Sequence, residues 1–186
     1  MKRFLSSLLV LCMAMTFLPA SAAAASVSPF GDVQSTDWYY DEVQYVYENG
    51  LMSGTSATTF SPDTTTTRGM IVTILHRLEG TPAVSTSGTF ADVTAGRYYT
   101  DAVEWASANG IVGGYGNGRF GPNDPITREQ MAAILYRYAA YKEYDVSGAA
   151  DLSGYSDASS ISSYARVAMQ WANHSGLVNG TSDTTL

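Results

Sequence analysis

Residues 30–80 lie over residues 90–140 at an offset of 60 without a gap, and sixteen of the 51 aligned positions are identical. The identities include Phe30/Phe90, Asp32/Asp92, Val33/Val93, Tyr39/Tyr99, Asn49-Gly50/Asn109-Gly110, Phe60/Phe120, Pro62/Pro122, Thr67-Arg68/Thr127-Arg128 and Arg77/Arg137. A unit this short cannot bury its own apolar face, so a chain of such units is constrained to pack neighbour on neighbour. A third copy begins at Tyr155-Ser156-Asp157. After one inserted residue it runs at an offset of 66, pairing Tyr164 with Tyr98, Ala168 with Ala102, Trp171 with Trp105 and Gly180 with Gly114. Leu186 falls where Phe60 and Phe120 stand, so the third copy is expected to be truncated. The resulting units are 28–80, 90–141 and a partial 152–186.

Each complete unit reads as helix, loop, helix, which makes the fold class mainly α. Val43, Val46 and Tyr47 form an apolar stripe that Asn49-Gly50 ends, since glycine accepts the left-handed conformation of a helix stop. Val103 and Ala106 play the same part before Asn109-Gly110. The second helix starts at a threonine. Thr127 can cap it with Gln130 returning the bond, and Met131, Ile134, Leu135 and Tyr138 follow at helical spacing. Thr67 offers the same cap with Met70 as partner, a looser start that Gly69 weakens further. Between the helices, Gly54 or Gly113-Gly114 permits tight turns while Phe60 or Phe120 can pin the loop to the core. The joins, Gly80 to Thr89 and Lys142 to Gly154, are polar and aperiodic, and the short first helices are expected to pack together.

The N-terminus has a different character. Met1 to Arg3 is positive and Phe4 to Leu18 carries no charge, about fifteen residues against the roughly 20 that span a bilayer. Pro19-Ala20-Ser21-Ala22 then supplies small residues, so residues 1–25 read as a secretory signal peptide, with no transmembrane segment left after cleavage. Cleavage would remove Lys2, Arg3 and Cys12, leaving eight basic residues against seventeen acidic ones, a formal charge of −9. No disulfide or cysteine metal site could then form, and an acidic chain does not suit nucleic acid, whose phosphates need basic partners. Enzyme signatures are missing as well. His76 and His174 stand alone without metal-ligand spacing, no Gly-x-Ser-x-Gly elbow occurs, and Gly113-Gly114-Tyr115-Gly116-Asn117-Gly118 lacks the lysine of a phosphate loop. No catalytic role and no cofactor follow from these residues.

Phe30-Gly31-Asp32-Val33, Trp38-Tyr39, Gly50-Leu51, Phe60-Ser61-Pro62 and Thr67-Arg68, with their copies in the second unit, resemble S-layer homology domains. The resemblance implies an exported protein held non-covalently to a bacterial cell-wall or envelope polysaccharide, often a pyruvylated secondary polymer. It also implies three units in a pseudo-threefold body with ligand grooves between lobes. Carried over position by position, it gives Asp32, Asp92 and Asp157 as the acidic members, Trp38 and Tyr98 as the aromatic ones, and Arg68 and Arg128 as the cationic ones. That set suits a sugar acid: guanidinium grips carboxylate with two prongs, an aromatic face covers a pyranose ring, and a carboxylate accepts hydroxyl hydrogens. Arg128 with Asp92 and Tyr98, from the intact second unit, forms the best-supported set.

Other roles remain open to each residue. Asp32 and Asp92 can cap a turn, Trp38 and Tyr98 can be core, and Arg77 and Arg137, half a helical revolution from Arg68 and Arg128, read as fold or interface residues. Two other functions stay open as well: surface-layer assembly with other surface-layer proteins and no glycan contact, or wall targeting as part of a larger enzyme.

Overall fold

In the computed structural model, residues 28–85 and 87–186 are described; the expected signal peptide lies outside them. The chain is helical, as the repeat implies. Among the described residues the α-helices are α1 (Tyr40–Glu48), α2 (Arg68–Leu78), α3 (Thr100–Ala108), α4 (Arg128–Tyr141) and α5 (Arg166–His174), with a 3-10 turn at Ala158–Ser160. No described helix is long and apolar enough to cross a membrane.

Local chemistry sets where the second helices begin. Thr67 and Thr127 are extended residues whose hydroxyls accept from the N–H groups of Met70 and Gln130, at 3.3 and 3.2 Å. Both capping boxes close. The Met70 thioether takes the Thr67 N–H at 3.4 Å, a weaker acceptor in the place of the Gln130 amide. The first helices have no side-chain cap at Tyr39, Tyr99 or Ala165. Helices of nine residues are marginal by themselves, so packing holds them.

That packing crosses the unit boundaries. The first helices were expected to gather on one another; instead α3 packs on α2 and α5 packs on α4. One core joins Val72 and Leu75 of α2 to Val103, Trp105 and Ala106 of α3, with Phe90, Ile111 and Phe120 of the second unit closing it. The next joins Ala132, Ala133 and Ala139 of α4 to Ala165, Ala168, Met169, Trp171 and Ala172 in and beside α5. Small residues on both sides let these last two helices approach closely. A smaller cluster of Phe30, Val33 and Val43, backed by Tyr39, Tyr47 and Phe60, supports α1. The reason for the alternation is that α2 and α4 each carry apolar residues on two faces, one toward their own loop and one toward the following helix.

The polar joins are tied down. Glu104, 2 % exposed, accepts from the N–H groups of Gly88 and Thr89 at 2.9 and 3.1 Å and from the Thr89 hydroxyl at 2.5 Å. His76, tilted against Trp105 with ring centres 5.4 Å apart, meets the Pro82 carbonyl at 3.0 Å. The segments ahead of α2 and α4 also meet: Arg68 N–H donates to the Asp124 carbonyl and Ile126 N–H to the Thr66 carbonyl, both at 3.0 Å. At the far ends of these helices Glu79 accepts from the Tyr138 hydroxyl at 2.5 Å and from Lys142 at 3.0 Å. The first unit is therefore fastened to the second at its loop, its helix and its connecting segment.

Candidate functional site

Three loops repeat one construction. The Asp32 carboxylate accepts the N–H groups of Phe60 and Ser61 at 2.8 and 2.7 Å; Asp92 accepts those of Phe120 and Gly121 at 2.8 and 2.9 Å. Asp157 receives the Leu186 N–H at 3.0 and 3.2 Å. These bonds run across 28 or 29 residues and close the loop onto the start of its unit. The N–H donors of Phe60 and Ser61 hold the Asp32 carboxyl below the usual carboxylate range. Burial pushes the Asp92 carboxyl up, but the donors of Phe120 and Gly121 outweigh it and the net displacement is downward. A glycine completes the clasp. Gly54 and Gly114 sit at φ of 73° and 66°, and a Cβ on either would come within 2.6 Å of the Phe30 or Phe90 ring.

Two grooves lie beside these loops in matching places. The first, about 400 Å³, runs between the loop from Leu51 to Thr55 and one face of α2, and Tyr98 of the second unit forms its far wall. The α2 residues facing it are Met70, Thr73, Ile74 and Arg77. The second, about 510 Å³, runs between Val112 to Gly116 and the corresponding face of α4, Gln130, Ala133, Ile134 and Arg137, with Tyr164 of the third unit as its wall. Arg68 reaches into this second groove from α2.

The expected residues are thus divided among several places. Tyr98 lines the first groove and Arg68 the second. Trp38, 87 % exposed, lines neither. The Arg128 guanidinium donates to the Asn179 carbonyl in the third unit's loop. Arg128, Asp92 and Tyr98, grouped by sequence, are not brought together, because the arginine of one unit serves the loop of the next. Arg77 and Arg137, read as fold or interface residues, face the grooves; Arg77 also donates to the Leu51 carbonyl at 2.9 Å. Their signal was present in the spacing. The 70, 73, 74, 77 stripe and its copy at 130, 133, 134, 137 follow the i, i+3, i+4, i+7 pattern of one helix face, ending in arginine. Tyr164 was equally accessible as the aligned partner of Tyr98.

Arg68 is the unusual group. It is 6 % exposed, its Nε donates to the Phe120 carbonyl at 2.8 Å and its Nη1 to the Gln130 amide oxygen at 3.2 Å. The guanidinium carbon stands 4.6 Å from the Tyr115 ring centre and 4.7 Å from that of Phe120. No described carboxylate oxygen comes within 4.0 Å of it; nearby acids are engaged elsewhere, Asp92 with Arg119 and Glu129 with Ser162 and Tyr164. Glu129 fixes the opposite wall. Its carboxylate accepts the Ser162 N–H and hydroxyl, each at 2.9 Å, and the Tyr164 hydroxyl at 3.0 Å. Burial pushes the Glu129 carboxyl up, but these three donors bring it below its ordinary value. Burial and the bond to Glu129 push the Tyr164 hydroxyl up to about 12. Among the described residues no three His, Cys, Asp or Glu side chains gather to hold a metal ion.

The repeat that carries these loops and helices has a counterpart in known sequences. The S-layer homology domain pattern matches residues 29–69, 89–132 and 154–186. The chain belongs to this family. An S-layer homology module is a non-catalytic anchoring unit, and the family is associated with the cell wall and the surface layer. An endoglucanase of Bacillus sp. (strain KSM-635) is 38% identical over 98% of this chain and 20% of its own length. The surface-layer 125 kDa protein of Lysinibacillus sphaericus is 37% identical over 58% of the chain and 10% of its own length. An S-layer protein of Bacillus thuringiensis subsp. finitimus is 32% identical over 66% and 15%. The chain therefore spans a fifth or less of these relatives.

Proposed function

We propose that this S-layer homology chain anchors an exported protein to a bacterial cell-wall or envelope polysaccharide by holding an acidic sugar in the groove between its second and third units. The observation carrying this reading is Arg68, buried without a carboxylate partner. A buried cation that lacks a counter-ion costs several kcal/mol, roughly, and its hydrogen bonds and ring contacts offset only part of that. An incoming carboxylate, such as that of a pyruvyl ketal, would supply the missing charge through charge-assisted bonds. Arg137 adds a second cation at the same groove, and Tyr164 offers a ring face for a pyranose. In this reading Asp32, Asp92 and Asp157 position the loops rather than touch sugar, while Arg128 acts at the third unit. Export through a signal peptide at residues 1–25 is part of the same proposal.

Sedimentation of the chain with purified wall sacculi tests it. Binding should fall when the secondary polymer is stripped from the wall and when Arg68→Gln and Arg137→Gln are combined. Binding that survives both would overturn the glycan mechanism and favour surface-layer assembly through protein contacts.

A further inference from the structure

The two grooves hold the same positions of the repeat but different chemistry. At four matched places the first groove has Met52, Thr55, Met70 and Thr73 where the second has Val112, Tyr115, Gln130 and Ala133. The second groove receives two guanidinium groups, Arg68 and Arg137, and the first only Arg77, one of whose nitrogens is already bonded to the Leu51 carbonyl at 2.9 Å. The Thr73 hydroxyl donates to the Gly69 carbonyl at 2.7 Å, so its hydrogen is committed within α2. Besides Arg77, Ser53 and Thr55, the first groove presents two thioethers, Ile74, the Phe60 ring and the Tyr98 wall. Thioethers adapt to small apolar groups and contact them favourably, and they give nothing to a carboxylate.

We propose that the grooves are specialised: the first takes a neutral sugar bearing an acyl group, whose methyl lies among Met52, Met70 and Ile74, while the second takes a carboxylate-bearing sugar. This rests on the glycan-anchoring reading above and goes beyond it by assigning two ligand classes to two places on one chain.

The methionines make the test direct. With methyl-labelled methionine in the full chain, Met52 and Met70 report the first groove, and Met131 and Met169, which line neither groove, serve as controls. The two probes are methyl N-acetyl-β-glucosaminide and methyl β-glucuronide. The neutral probe should shift the Met52 and Met70 methyl signals, with unchanged affinity in Arg137→Gln and in high salt. The glucuronide should leave those signals in place and perturb the Tyr115 and Tyr164 ring signals. Its affinity should drop about tenfold in Arg137→Gln, as expected for losing a charge-assisted contact. If both probes shift both sets of signals alike, the specialisation is overturned while glycan binding stands. If neither probe shifts any groove signal at saturating concentration, both readings are overturned.

Discussion

Gly69 and Glu129 occupy the same position of the repeat, one residue past the arginine, and they solve opposite problems. The Gly69 N–H donates to the Pro122 carbonyl at 2.9 Å, and a Cβ there would stand 2.7 Å from that oxygen and 3.3 Å from the Tyr99 side chain. The second unit's loop presses directly on the foot of α2. At the foot of α4 there is room for a long side chain, and Glu129 uses it to reach Ser162 and Tyr164. The first junction is thus closed by backbone contact, the second by a carboxylate spanning a gap. The lesson is that equivalent positions in a repeat are equivalent in sequence alignment only, because each faces a different neighbour.

Making the junctions alike should be most damaging at the tighter one. Gly69→Glu forces a side chain against backbone and should cost roughly 3 kcal/mol or more, read as a fall in the thermal midpoint. An unchanged midpoint would show that the loop can retreat and that the contact is not tight. Next in size is the loop clasp of the second unit. Asp92→Ala strands two N–H donors in a part-buried loop and should cost about 2 kcal/mol in urea unfolding. Asp32→Ala, at the exposed copy, should cost distinctly less. Equal losses would mean that exposure does not distinguish the clasps.

Glu129→Gln should be milder, about 1 kcal/mol, since the amide keeps one acceptor oxygen. Its sharper readout is the Tyr164 hydroxyl, whose titration should move down from about 12 toward the ordinary tyrosine value. A Tyr164 titration that stays in place would deny Glu129 its role at the groove wall. The smallest effect is the acid limb of stability. The Asp32, Asp92 and Glu129 carboxyls are all held below their ordinary values in the fold, so the unfolded chain takes up protons first. Stability is therefore full above about pH 4–5 and is lost as pH falls through the lower, folded values. Asp32→Asn and Asp92→Asn should each flatten that limb, and a limb identical to the wild type in both variants would contradict the clasps.

The repeat, the helices and the family pattern were legible because they rest on short-range chemistry. Threonine caps act over three residues, apolar stripes over one or two turns, and Asn-Gly stops at a single peptide. The loop geometry was half legible: Phe60 and Phe120 read as anchors, but nothing local says that Asp32 and Asp92 reach 28 residues ahead to hold them. The candidate grooves were the least legible. Arg68 stood out by its repetition, yet its surroundings belong to the following unit, with Phe120 lying 52 residues away. Gly69 read as a flaw in a helix until Pro122 was seen against it.

What the sequence determined by itself was a chain of similar helical units, the ends of their helices, and a small set of cations and rings able to meet a sugar acid. Only the tertiary structure decided which unit each of them serves. The physical reason is that a helix has two sides: on α2 the stripe ending at Arg77 faces its own loop, while Arg68, half a revolution away, is carried into the groove of the next unit. Sequence spacing records that angle but not what stands opposite. That is fixed by α2 packing on α3 and α4 on α5, so that each groove is assembled from two or three successive units rather than contained in one.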